Sequence, residues 1–240
     1  MHVYDSTLTR LAADFAGNVV LGSGTAVRQT VQELRWSTLA DAAPTGRDVH
    51  GLLVDYGLDG DSLRFGLRFV TLVPDSPPGT FDWTAPDTVL DLHHGALAPA
   101  LFSTWSTSYQ VDPSDTGVYF SRVRIRHKAG QAFVPADPLT DAQRDLMAWE
   151  DEVLAMYTQN ASGHPDSTMY LVVRAIARPD ADGALRHHTC YHLRLRPDSG
   201  TGYRDLLNNA WGRSAPFLMH GCDFGNLCPP ECATYTEPAQ

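Results

Sequence analysis

Lysine is all but missing from this chain. Of eighteen basic residues, seventeen are arginine and one is Lys128. Arginine makes planar, bidentate contacts and suits interfaces better than lysine does. A coding bias toward arginine is the simpler account of the excess. Basic residues of either kind are absent from residue 69 to residue 121, a stretch that carries Asp75, Asp82, Asp87, Asp91, Asp112 and Asp115. With a formal net charge of −10, general nucleic-acid binding is not expected, because neutralising phosphates needs an excess of positive charge. No run of about 18 apolar residues occurs, so no membrane span is expected. The start, Met-His-Val-Tyr-Asp-Ser, has no basic segment leading into an apolar core, so no secretory signal is read there. The expected location is the cytoplasm, or an intracellularly assembled particle.

Familiar catalytic signatures are missing too. Gly22-Ser23-Gly24-Thr25 has neither the third glycine of a dinucleotide fingerprint nor the Gly-Lys of a phosphate loop. It is not the Gly-x-Ser-x-Gly of a nucleophile elbow. It reads as a plain turn opening a helix over about 25–41, with Val27, Val31, Leu34 and Thr38 at helical spacing.

What is present points to a globular chain. Hydrophobic residues make up 43% and charged residues 19%, which separates it from disordered sequences. We expect one domain over 1–240, with an ordered inserted region at about 74–116 and a cysteine-rich tail at 212–240. The fold class expected is α+β: mainly antiparallel sheet built from hairpins, with two or three helices packed on one side.

Two hairpins are the clearest elements. Leu52, Val54, Tyr56 and Leu58 alternate before Asp59-Gly60, a strong tight-turn signal, and Leu63, Phe65, Leu67, Phe69 and Val73 alternate after it. The opposite face, with Arg64, Gly66 and Arg68, reads as partly wet. The second hairpin joins 169–178 to 184–196, with Met169, Leu171, Val173, Ala175 and Ala177 facing inward, and Leu185, Tyr191, Leu193 and Leu195 on the return. Other expected elements are helices at 6–16, 138–158 and 203–211, and strands at 18–21, 88–92, 101–110 and 117–128.

The chemistry-bearing residues gather late in the chain. All four cysteines, Cys190, Cys222, Cys228 and Cys232, lie there, with His187, His188, His192 and His220. His188, Cys190 and His192 share one strand face, same-face neighbours standing about 6.5–7 Å apart. Completed by Cys222, Cys228 or Cys232, that set admits a zinc site. The tail spacing is Cys-x5-Cys-x3-Cys, not the Cys-x2-Cys knuckle of a strong zinc signature. Disulfides stapling the tail, or free thiols, are equally compatible with it; the cofactor is unknown. His93-His94 beside Asp91 is a weaker pair of the same kind.

Arginines line the polar faces of three expected strands: Arg122, Arg124 and Arg126 on the first, Arg174 on the second, Arg194 on the third. Were those strands neighbours, they would form one continuous arginine-lined sheet face able to hold an anionic ligand. The expected function is therefore a non-enzymatic binding or assembly protein, a subunit of a larger particle, with a protein partner or its own copies as the partner. The alternative is a metal-dependent or Cys/His enzyme acting on a small anionic substrate.

Overall fold

The computed structural model describes residues 3–45, 49–72, 81–82, 89–92, 95–97, 99–110, 122–135, 144–161, 168–179, 182–196, 202, 204–206, 223–224 and 226–227. The fold is α+β, built on three antiparallel sheets.

The first hairpin is β3 (Val49–Asp59) and β4 (Ser62–Leu72), following α1 (Val3–Asn18), β1 (Val19–Leu21), β2 (Val31–Arg35) and α2 (Trp36–Ala42). Gly60 sits at φ +64 in its turn, a conformation that costs glycine nothing. The inward residues fall as the alternation requires: Leu52, Val54, Tyr56, Leu58, Leu63, Phe65, Leu67 and Phe69 all lie in the core. This hairpin centres a seven-stranded sheet. β5 (Phe81–Asp82) and β6 (Val89–Asp91) both pair with β4, and β7 (Gly95–Leu97) pairs with β6.

The outer face of the hairpin is covered, not wet. α3 (Pro99–Gln110) occupies the stretch where a strand over 101–110 is expected. Phe102, Trp105 and Tyr109 recur at helical spacing, and the hydroxyls of Thr104 and Ser108 donate back to the carbonyls four residues earlier. Two glycines make room for it. A Cβ on Gly66 would lie 2.5 Å from the Phe102 ring, and one on Gly57 would lie 2.8 Å from the Trp105 Cβ. Arg64 stacks on Trp105 at 5.3 Å while donating to Asp59 at 2.9 Å. Arg68 donates to buried Asp55 at 2.7 Å.

β8 (Val123–Ile125) and β9 (Val134–Pro135) join β1 in a small sheet of their own. The expected helix at 138–158 is replaced, where described, by β10 (Arg144–Ala148), a π-helical turn (Trp149–Leu154) and α4 (Ala155–Asn160). β10 takes its hydrogen bonds from β3, with Leu146 opposite Leu53. Such tertiary pairing overrides local helix propensity. Likewise the expected helix at 25–41 divides. Gln29 takes φ +53, which ends any helix, and β2 follows before α2 begins at Trp36. The Gly22–Thr25 turn closes back on itself through Leu21 N–H to Thr25 O at 2.8 Å.

The second hairpin is β11 (Met169–Pro179) and β12 (Leu185–Leu195), close to the expected bounds, with Arg174 opposite Cys190. β2 flanks β11, and β13 (Arg204–Leu206) flanks β12 where part of a helix over 203–211 is expected. Residues 207–211, Val73, His93 and His94 lie outside the described residues. The tail touches both large sheets: β14 (Asp223–Phe224) pairs with Cys190–Tyr191, and β15 (Asn226–Leu227) pairs with Asp145–Leu146. The helices are divided between the large sheets, with α1 and α2 against β11 and α3 against β3.

Candidate functional site

The two hairpins face each other across a core that contains a polar seam. From β12, His187 and Thr189 point inward with Tyr191 and Leu193, because alternation gives odd residues the core face. The Tyr56 hydroxyl bonds to that of Thr189. Tyr109 Oη and His187 Nδ1 share a hydrogen bond of 3.0 Å. The His187 ring stacks on Tyr56 at 5.1 Å and tilts against Phe15 at 4.9 Å. Its pKa is lowered from 6.5 to about 3, because burial penalises the charged ring. His187 is therefore a neutral structural group at physiological pH. Counting histidines drew attention to it, whereas its inward position on the strand assigns its role.

The opposite face of the same sheet carries the candidate residues. Register places them in rows across β2, β11 and β12: Arg35, Tyr170 and Arg194; then Glu33, Val172 and His192; then Val31, Arg174 and Cys190, with His188 beyond, opposite Ile176. This face is not the open polar surface that the alternation suggested. Exposure is 3% at His188, zero at Cys190 and His192, and 6% at Arg194. Arg174 is half-buried.

The expected metal set is changed by one covalent fact: Cys190 is disulfide-bonded. The chain holds three other cysteines, Cys222, Cys228 and Cys232, all outside the described residues together with His220. A cystine sulfur is not the thiolate that zinc needs. His188 and His192 are four residues apart on one strand, about 13 Å by strand rise, too far to share an ion without a ligand between them. Among the described residues no group of three or more His, Cys, Asp and Glu side chains is placed to hold a metal.

The arginine-lined face divides in two. Arg122, Arg124 and Arg126 do not adjoin Arg174 and Arg194, because β8 pairs with β1 and β9 and not with β11 or β12. Arg126 has a local task there. It donates to Asn18 Oδ1 and Gly17 O, both at 3.0 Å, placing a cation at the C-terminal end of α1, where the helix dipole favours it. Arg122 is exposed and Arg124 half-buried.

On the large sheet, Arg194 and Arg196 share the Glu33 carboxylate, at 2.9 and 2.6 Å to separate oxygens. Arg196 also stacks on Tyr170 at 5.5 Å. Arg35 stacks on the same ring at 5.7 Å and donates to its hydroxyl at 3.2 Å. Arg35 and Arg196 are exposed. The result is a cation–aromatic strip, held in place by its own contacts, at the margin of the sheet. Neither Arg35, Glu33 nor Tyr170 was singled out from the sequence; pairing between β2 and β11 is what brings them together.

A separate cleft of about 350 Å³ lies between α2 and the far end of β4, lined by Thr38, Asp41, Ala42, Leu67, Phe69 and Leu90 among others. It is mostly apolar. No protein-family model, curated protein or solved structure matches this chain. No helix among the described residues is long and apolar enough to cross a membrane.

Proposed function

We propose that this chain is a non-enzymatic assembly protein that works by associating with protein surfaces, its own copies first. The observation that carries this reading is the strip of Arg35, Tyr170 and Arg196, backed by Glu33 and Arg194, at the margin of the five-stranded sheet. Exposed arginines are held in fixed geometry there, so less side-chain entropy is lost when a partner binds. Tyrosine and arginine are the residue types enriched at interface hot spots.

The enzyme alternative lacks comparable support. Its nucleophile or ligand, Cys190, is a half-cystine, and its histidines are buried in sheet packing. The cystine also weighs against a cytoplasmic location, since cytosolic thiols are kept reduced. It suits a particle that meets an oxidising environment. Light scattering over a wide concentration range tests the reading. Mass rising with concentration supports it, and a strict monomer throughout contradicts it.

A further inference from the structure

The seven-stranded sheet has a gap beside β4. This strand pairs with β6 at Gly66 and Leu67, and with β5 at Thr71 and Leu72. Among the described residues no strand lies beside Arg68, Phe69 and Val70 on that side. The Leu92 N–H donates to Phe65 O at 3.2 Å, and the Leu63 N–H donates to Arg28 O at 2.8 Å. Odd residues of β4 therefore turn their hydrogen-bonding groups away from β3, because antiparallel ladders alternate. The N–H and C=O of Phe69 point into the gap, and Phe69 is only 1% exposed. A buried backbone donor and acceptor call for a partner.

The cleft of about 350 Å³ adjoins this stretch, with Arg68 and Phe69 lining it from β4 and Leu90 from β6. Small residues keep it open, since Ala42 on α2 and Ala96 on β7 bring only methyl groups to its wall. The Arg68 guanidinium is held on the Asp55 carboxylate at 2.7 Å, which offsets its charge. Two polar side chains come from α2. Thr38 and Asp41 lie three residues apart and so share a helix face. Asp41 is exposed and has no ion pair or hydrogen bond among the described residues. It stands in the last turn of α2, where the negative end of the helix also draws a cation. Clefts of this size, with apolar walls and a few polar groups, are where small ligands bind. Here the polar groups define the ligand. A carboxylate beside a hydroxyl suits an ammonium, and a strand N–H beside a C=O suits an amide.

We propose that the cleft binds an α-amino amide with an apolar side chain, the chemistry of an amino-acid amide and of the first residue of a peptide. Its apolar body lies on Leu67, Leu90 and the Phe69 ring. Its ammonium bonds to Asp41 and Thr38. Its amide bonds to the N–H and C=O of Phe69, as an added strand residue does. This site stands apart from the assembly reading and does not depend on it.

The probe is L-phenylalaninamide, titrated by calorimetry into the full oxidised chain at pH 6, where an α-amino group carries its proton. 3-Phenylpropanamide keeps the ring and amide but lacks the ammonium. Asp41→Asn removes the carboxylate at a position with no bond to lose. Asp182→Asn makes the same charge change at an exposed turn of the second hairpin. Urea unfolding confirms the fold of each variant. The expected result is one saturable site with a dissociation constant at or below about 1 mM. The wild type and Asp182→Asn should prefer phenylalaninamide to phenylpropanamide about fivefold, and Asp41→Asn should lose that preference. The peptide Phe-Gly-Gly separates the two sources: binding as tight as the amide's assigns a peptide terminus, and weaker binding assigns a free amino-acid amide. No saturable binding of phenylalaninamide overturns the proposal. So does a preference that survives Asp41→Asn, or one that falls equally in Asp182→Asn.

Discussion

Acid should destabilise this protein through His187 before its carboxylates titrate. The ring is fully buried, and Phe15, Tyr56 and Tyr109 pack against it. Its folded pKa is lowered to about 3 from 6.5. Below pH 6.5 the unfolded chain therefore takes up a proton that the folded chain refuses. The stabilising contribution is complete above pH 6.5 and is lost progressively as pH falls toward 3. Each pH unit in that window costs about 1.4 kcal/mol, so about 2 kcal/mol is lost between pH 7 and pH 5. This is a sizeable share of the roughly 5–15 kcal/mol that stabilises an ordinary domain. The assay is urea unfolding at several pH values for the wild type and for His187→Gln, which keeps a hydrogen-bonding group near Tyr109 but does not titrate. The variant should be less stable at pH 7, yet lose about 2 kcal/mol less than the wild type on going to pH 5. Parallel pH profiles for the two proteins would refute the argument.

Other perturbations bear on separate parts of the structure. Gly57→Ala should destabilise by roughly 1–3 kcal/mol, measured by urea unfolding, since the new methyl meets Trp105 Cβ at 2.8 Å and its backbone carbon at 3.0 Å. Gly66→Ala should destabilise by a comparable amount, because the methyl would meet the buried Phe102 ring at 2.5 Å and turning the ring about its own axis leaves Cζ in place. Asp55→Asn removes the carboxylate that Arg68 faces at 2.7 Å, and should lower the thermal midpoint more than Asp61→Asn, whose partner Arg28 is exposed. Alkylation in denaturant without reductant, followed by peptide mass spectrometry, should leave Cys190 unlabelled. Adding reductant should label it and lower stability by roughly 2–4 kcal/mol.

Both long hairpins were legible because alternation over eleven residues, with Asp59-Gly60 or Asp182-Gly183 at the turn, admits few other readings. The same alternation assigned their core faces, down to Met169, Leu171 and Val173. It could not say what covers the other faces. Gly57 and Gly66 look like weak points in a strand until Phe102 and Trp105 are placed over them. Residues 101–110 carry strand-favouring aromatic and hydroxyl side chains, yet form a helix because that helix fits the glycine notch. Residues 144–148 carry a helical apolar stripe, yet pair with β3 because its edge is there to be paired. The candidate site shows the same limit. Alternation put His188, Cys190 and His192 on one face correctly, but the cystine at Cys190 and the burial of both histidines depend on partners distant in sequence. Arg174 and Arg194 lie on the long strands as read, but Arg122 and Arg126 fall outside the three-residue β8, and which strands adjoin was the missing information. Arg35 drew no attention because its segment reads as helix, and only pairing with β11 sets it beside Tyr170.

Light scattering over a wide concentration range, on the wild type and on Arg35→Ala and Arg196→Ala, tests the assembly account most directly. The account predicts a mass that rises with concentration in the wild type and rises less in both variants, because each loses an exposed arginine of the strip on Tyr170. A strict monomer at every concentration would contradict the account.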